Sequence, residues 1–288
     1  MHAIRQAIPE RRSRSGRYTV HGLPAATDNV VWVLEDHAEG RAAIVDGPDA
    51  AAALALIEQR GLFLSTVLLT HGHGDHVGVV HDLGRRDLLG GVSVVGGAHS
   101  RLPLPSLTYR VEDGDHAPFA DALVLRTDGH VTGHVSYVIE DLVFVGDTMF
   151  AGGCGYLFDG PAAAMWASLE RLAALPPETH VFCAHEYTED NLRFALSVAP
   201  EADDPVWNRY EQVVQRRAQG HAALLTTIGE ERATNVFVRA GSAERFAALR
   251  QAKDSRAYRA APPPTRPIAG LGAAGAPMHL QQLGERIP

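Results

Sequence analysis

The chain has 288 residues, 45% of them hydrophobic, enough for one large domain with its own core and a smaller appended unit. Its formal net charge is −8 and no long block of like charges occurs, which excludes the electrostatic footprint of a nucleic-acid binder. With only two cysteines, Cys154 and Cys183, and no run of about 18 apolar residues, the composition excludes a disulfide scaffold and a membrane span and points to the cytoplasm.

Residues 1–17, MHAIRQAIPERRSRSGR, are rich in Arg and Ser with the single acid Glu10, which predicts a disordered extension. The β-branched runs NVVWVLED and RAAIVDG follow as strands. A helix over DAAAALALIEQRG comes next, with Asp49 near its start and Gly61 as its stop. The strand STVLLT leads into THGHGDH. Beyond it GVSVVGG, SLTYRV and ALVLRTDG read as strands, and HVSYVIEDLVFVGD reads as a hairpin turning at Glu140-Asp141. The helix PAAAMWASLERLAAL carries Pro161 in its first turn and precedes the strand THVFCAHE. From Thr188 onward the pattern is helical over TEDNLRFALSVAP, DPVWNRYEQVVQRRAQG and SAERFAALRQAKDSRAYRA, with NVFVR as the remaining strand signal. The Ala/Pro/Gly-rich residues 259–288 predict a flexible tail. The expected domains are therefore 18–187 and a helical unit at 188–258.

Three histidines and an aspartate fall at His71, His73, Asp75 and His76 where a strand gives way to a loop. Burying all four in a bland role would require a partner for every ring nitrogen and carboxylate oxygen, so metal binding is the better reading. Histidine and carboxylate ligands without cysteine are typical of catalytic zinc, where water takes the remaining position. Further candidates, His134, Asp147 and His185, lie at the ends of predicted strands. Four ligands on one ion would leave three of the seven idle, whereas two ions bridged by a carboxylate use them all.

THGHGDH, followed in order by TGH, GDT and HEY, resembles the signature of the metallo-β-lactamase superfamily. Within it, GDTMFAGGCGYLFDG, CAHEYTEDNLRFALSVAP, ATNVFVR and LRQAKDSR are similar to glyoxalase II, the hydroxyacylglutathione hydrolase family, over roughly Asp28 to Arg256. The resemblance implies an α/β fold, an αββα sandwich with a smaller C-terminal α-helical domain that carries part of a glutathione site. It implies one ion on His71, His73 and His134 and a second on Asp75, His76 and His185, with Asp147 as the bridge. His130 is read as a hydrogen-bond partner of a ligand, and His81, His99, His116, His180 and His221 as surface or core residues. Cys154 and Cys183 are read as packing residues.

By the same resemblance Arg250 and Lys253 bind the glycine carboxylate of glutathione and Tyr187 contacts the glutathione moiety. Lys253 is the only lysine in the chain. Tyr156 stands where the family usually has a cation after GCG, and is carried as a substrate-binding position that has lost one charge. Val30, Asp128 and the order of DGP at 46–48 also depart from the family pattern, without removing a ligand. Gly72 and Gly74 fill variable positions of the signature.

The activity implied is hydrolysis of S-D-lactoylglutathione to D-lactate and glutathione, a step of methylglyoxal detoxification, with two divalent ions, zinc first and iron or manganese as alternatives. A pair of ions roughly 3.5 to 4 Å apart holds a hydroxide at neutral pH, which Asp75 orients toward the thioester carbonyl. The chain is expected to act as a monomer on this small-molecule substrate. The alternative is a mononuclear-iron glutathione persulfide dioxygenase of the same fold. A nuclease is disfavoured by the acidic balance, and a non-enzymatic metal-binding module by the intact ligand set.

Overall fold

The computed structural model describes residues 4–199 and 203–266. Strands β1 (Arg11–Arg12), β2 (Tyr18–Ala25), β3 (Asn29–Asp36), β4 (Arg41–Val45), β5 (Phe63–Leu68), β6 (Ser93–Gly97) and β7 (Tyr109–Val111) form one sheet in that order, with helices α1 (Ala51–Gln59) and α2 (Gly74–Arg85). The second sheet has the order β15 (Thr226–Thr227), β14 (His180–Cys183), β11 (Leu142–Gly146), β10 (Val135–Ile139), β9 (Ala122–Arg126) and β8 (His116–Ala117). A small hairpin, β12 (Met149–Phe150) and β13 (Gly153–Cys154), precedes α3 (Ala162–Ala173). Helices α4 (Thr188–Val198), α5 (Asp204–Ala218), α6 (Ile228–Thr234) and α7 (Ala243–Asp254) follow.

The layering follows from side-chain alternation along strands. On β3, Val30, Trp32 and Leu34 join the cluster shared with Val124, Tyr137 and Phe144 of the other sheet, while Val31 and Val33 face Ala53, Ile57, Val80 and Leu83 of α1 and α2. The first cluster continues to Met165, Leu169, Phe194 and Phe246, so α3 and the later helices cover the second sheet. The result is the expected αββα sandwich with a C-terminal helical region. Trp32 Nε1 donates to the Cys183 carbonyl at 2.9 Å and Tyr137 Oη to the Leu69 carbonyl at 2.8 Å, satisfying buried polar tips and tying the sheets together. No helix among the described residues is long and apolar enough to cross a membrane.

β4, β5 and β6 are parallel, and β11 is parallel to β14. The C-terminal ends of β5, β11 and β14 therefore bring Thr70, Asp147 and His185 to one rim. β9, antiparallel to β10, which is antiparallel to β11, ends at the same rim.

Several expectations need correction. Of the expected disordered extension, residues 4–17 are instead ordered: Arg11 and Arg12 pair with Val20 and Thr19, and Ile8 is buried in the core, while residues 1–3 lie outside the described residues. Gly22 makes room for this, since a Cβ there would lie 3.0 Å from Ile8 and 2.6 Å from the Trp32 ring. NVFVR is a turn after α6 rather than a strand, and the helical unit contributes β15 to the second sheet. Of the expected flexible tail, residues 259–266 are anchored: Arg259 pairs with Asp190 at 2.7 Å and Arg266 donates to Asn208 Oδ1 at 3.0 Å. The rest of that tail lies outside the described residues.

Because Ile8 packs on a surface already closed by Gly22 and Trp32, Ile8→Ala is expected to lower stability by about 2 to 3 kcal/mol. Urea denaturation measures it. A change below about 0.5 kcal/mol would show the N-terminal segment to be peripheral.

Candidate metal centre

THGHGDH leaves β5 and bends directly into α2, a helix the sequence reading did not anticipate because the periodicity of GDHVGVVHDLGR is diluted by glycine and polar residues. His73 is the N-cap and Asp75 and His76 lie in the first turn, so the helix start turns both side chains back toward the strand ends. Gly78 seats the helix, since a Cβ there would stand 2.1 Å from the Pro48 carbonyl oxygen. Gly72 is likewise constrained, with the Leu102 Cβ 2.6 Å from where its own Cβ would be.

Two groups of candidate ligands converge. His71, His73, His130 and Asp147 form one, and Asp75, His76 and His185 the other. In the first, His71 Nε2 lies 2.8 Å and His130 Nε2 3.0 Å from His73 Nδ1, and His130 Nε2 lies 3.4 Å from Asp147 Oδ2. In the second, His185 Nε2 is 3.4 Å and His76 Nε2 3.7 Å from Asp75 Oδ2. The other oxygen of Asp147, Oδ1, stands 3.5 Å from both of these Nε2 atoms. One carboxylate thus faces both groups.

His130, not His134, belongs to the first group, which corrects the assignment made from sequence. His134 immediately precedes β10 and points between the sheets. Its Nε2 accepts the Asp147 amide at 3.3 Å, and its Nδ1 faces the hydroxyls of Thr127 and Thr148 at 2.9 and 3.1 Å. Both nitrogens are spoken for. His130, four residues earlier in the loop after β9, has Nε2 free to point inward. The only sequence signal separating the two was that Val135 opens a strand while His130 sits within the Gly-flanked turn DGHVTG.

Fixed outer acceptors set the imidazole tautomers. His76 Nδ1 faces Asp46 at 3.0 Å, His130 Nδ1 the Tyr156 carbonyl at 2.8 Å, and His185 Nδ1 the Asp28 carboxylate at 2.8 Å. Thr70 donates its hydroxyl to Asp46 at 2.6 Å, so it accepts from His71 Nδ1 at 3.1 Å. In its neutral form each ring gives its proton outward and presents an Nε2 lone pair inward. His73 can offer one proton to two such lone pairs. Buried His76 Nε2 and Asp147 Oδ1 have no hydrogen-bond partner at all. Lone pairs aimed at one another and orphaned buried acceptors are what a cation would satisfy, so these residues fit two metal ions.

The protonation pattern agrees. Burial, reinforced by neighbouring imidazoles, holds His71 and His134 well below the usual histidine range, and burial lowers His73 and His130. Burial also opposes charge on His76 and His185, yet the carboxylates of Asp147, then Asp46 or Asp28, outweigh it, lifting His76 strongly and His185 to about 9. Asp75 is held low by its contact to His185, and Asp147, despite burial, by His76 and His185. Protons on His76 and His185 meet the same negative charge that a cation would, so metal binding would displace them.

Beside the centre lies a cavity of about 390 Å³ whose lining includes Tyr156, Tyr187, Arg250 and Lys253, all four of the expected substrate-binding residues. Tyr187 stacks on His185 with ring centres 5.0 Å apart and donates its hydroxyl to Asp28 at 3.2 Å. Tyr156 is 52% exposed, and its carbonyl, not its ring, orients His130. Arg250 is buried, donating from Nη1 to the Cys154 carbonyl at 3.0 Å and from Nη2 to Asp254 at 2.6 Å. Lys253 contacts Asn191 Oδ1. Burial, with the nearby Arg250 charge, pulls its ammonium down to about 7.

A sandwich of two sheets with a histidine and aspartate centre at one rim defines a metallohydrolase-type fold, and the model of the Metallo-beta-lactamase superfamily matches residues 26–185. Residues 186–256 match the Hydroxyacylglutathione hydrolase C-terminus. A hydroxyacylglutathione hydrolase of Aliivibrio salmonicida is 39% identical over 253 residues, covering 82% of this chain and 98% of that relative. The chain belongs to the hydroxyacylglutathione hydrolase family. Among solved structures, ETHE1 from Myxococcus xanthus superposes with a TM-score of 0.61 at 24% identity, covering 81% of this chain and 89% of that one. TTHA1623 in a di-iron-bound form superposes with a TM-score of 0.52 at 27% identity, covering 76% and 98%.

If His130 is a ligand and His134 a buttress, His130→Ala binds about one ion fewer per chain. His134→Ala keeps the metal stoichiometry and loses about 1 to 3 kcal/mol of stability. Metal analysis with thermal denaturation separates the two, and unchanged metal in His130→Ala would return the ligand role to His134.

Proposed function

We propose that the chain is a metal-dependent thioester hydrolase that converts S-2-hydroxyacylglutathione, S-D-lactoylglutathione first, to the 2-hydroxy acid and glutathione. The observation that carries this reading is the adjacency of two ligand groups sharing Asp147 to a cavity lined by Tyr187 and Lys253. His71, His73 and His130 would hold one ion, and Asp75, His76 and His185 the other, with Asp147 contacting both. When bound, the ions supply a water of lowered pKa and a Lewis-acidic contact for the thioester carbonyl. Zinc is proposed, although the same side chains accommodate iron or manganese, and the relative TTHA1623 is described in a di-iron form.

The residues of the chain bind and orient. Asp75 Oδ2 accepts from Asn29 Nδ2 at 3.0 Å, which fixes that carboxylate beside His76 and His185, where it would orient an attacking water. Lys253 holds a carboxylate of the glutathione moiety. Arg250, with donors already committed to Cys154 and Asp254, positions the floor of the cavity under Lys253. Tyr187 packs the substrate against the centre from the His185 side. The leaving group is a thiolate whose thiol has a pKa near ~8.5, so no general acid is needed for its departure. The complete second group favours this reading over the mononuclear persulfide dioxygenase. We take the chain to act as a cytoplasmic monomer on this small molecule, and its net charge of −8 argues against a nucleic-acid partner.

Loss of thioester absorbance with S-D-lactoylglutathione, on protein of known metal content, tests the activity; no hydrolysis with two ions bound would sink it. Asp147→Ala is expected to lose most of the metal and the activity, and a variant retaining two ions would remove the shared carboxylate from the scheme. Lys253→Met should lower kcat/KM roughly ten- to a hundredfold, as expected for one charge-assisted hydrogen bond. Lys253 binds a carboxylate only when protonated, so KM is expected to rise as pH increases through about 7. This dependence should vanish in Lys253→Met, and a pH-independent KM in the unaltered protein would contradict it.

A further inference from the structure

The cavity beside the metal centre contains four cations and two carboxylates. Arg250 is paired with Asp254 at 2.6 Å and Arg259 with Asp190 at 2.7 Å. Lys253 contacts the neutral amide of Asn191 and lies over the Phe194 ring at 5.7 Å without an ion pair, and Arg256, although it lines the cavity, has no side-chain hydrogen bond or ion pair among the described residues. Two of the four cations therefore have no ion-pair partner among the described residues, and a glutathione moiety carries two carboxylates.

The backbone at Arg256 adds an independent observation. It is left-handed, with φ 57° and ψ 11°, at the turn that follows α7, where its amide donates to the Lys253 carbonyl at 3.1 Å. Glycine is the usual residue in this conformation because a Cβ is disfavoured there. An arginine in its place costs more than glycine would, the kind of outlier from which function is inferred. The conformation is held from beyond: Arg259 N–H donates to the Arg256 carbonyl at 3.0 Å, and Tyr258 and Arg259 are both fixed on Asp190.

We infer that Arg256 is a substrate-binding residue, its guanidinium taking the second carboxylate of the glutathione moiety while Lys253 takes the first. The inference rests on the hydrolase reading for the identity of the ligand.

The test uses the metal-loaded full chain and S-methylglutathione, a thioether that cannot be hydrolysed, with binding followed by calorimetry. Arg256→Gly relieves the left-handed strain, so its Tm should equal or exceed that of the unaltered protein while Kd for S-methylglutathione rises roughly three- to tenfold. KM for the thioester should rise by the same factor with kcat unchanged. With the glycine monoethyl ester of S-methylglutathione, the loss caused by one of Arg256→Gly and Lys253→Met should disappear and the other persist. Unchanged Kd in Arg256→Gly would overturn the inference, as would an ester that abolishes both losses or neither. Arg256-dependent binding without thioester turnover would refute the hydrolase reading and leave this one standing; turnover with Arg256-independent binding would do the reverse. Failure of the unaltered protein to bind S-methylglutathione would overturn both.

Discussion

The whole rim of the molecule is arranged around imidazoles that donate outward. His71, His76, His130 and His185 each commit Nδ1–H to a fixed acceptor, respectively Thr70, Asp46, the Tyr156 carbonyl and Asp28. With that proton placed, each ring in its neutral form presents an Nε2 lone pair to the interior. The acceptors come from loops after β4, before β3, after β5 and after β13, so the tautomers depend on both sheets being assembled. Asp46 alone joins the Thr70 amide, the Thr70 hydroxyl and His76, linking β4, β5 and α2 through one buried carboxylate.

This constraint sets the electrostatics. Inward lone pairs and two ionised carboxylates in a buried pocket form an anionic hole that is costly to leave unfilled. Asp147 is central because its two oxygens face different groups, one toward His130 and the other toward His76 and His185. His134, fully buried beside it, keeps the Asp147 amide satisfied and thereby fixes the direction in which that carboxylate leaves β11.

The helical region is part of the same construction. β15 pairs with β14, Glu186 accepts the amides of Ala223 and Leu224, and Glu231 accepts the Gly152 amide and the guanidinium of Arg209. These buried carboxylates lock the helices against the strand ends that bear the ligands, so the cavity wall carrying Arg250 and Lys253 is held in register with the centre. Arg250 contributes through its bonds to Cys154 and Asp254. Its sequence position marks the cavity, but its neighbours decide that its charge is already used.

By itself the sequence determined the sandwich, through strand runs such as NVVWVLED and VSYVIEDLVFVGD whose apolar faces must be buried on both sides, and most of the centre, through histidines and aspartates placed where strands end. It also marked Tyr187, Arg250 and Lys253 as neighbours of one site. Composition could not show that the Arg-rich N-terminal segment is ordered, because one buried Ile8 above Gly22 and a two-residue strand suffice once the sheet exists. Nor could it rank His130 against His134, which are both histidines after the same strand. Only the tertiary structure, by giving His134 an amide and two hydroxyls and turning His130 Nε2 toward His73 and Asp147, brought His130 rather than His134 into the first group of candidate ligands. The physical reason is that a ligand is defined by an unsatisfied lone pair, and satisfaction depends on partners distant in the chain.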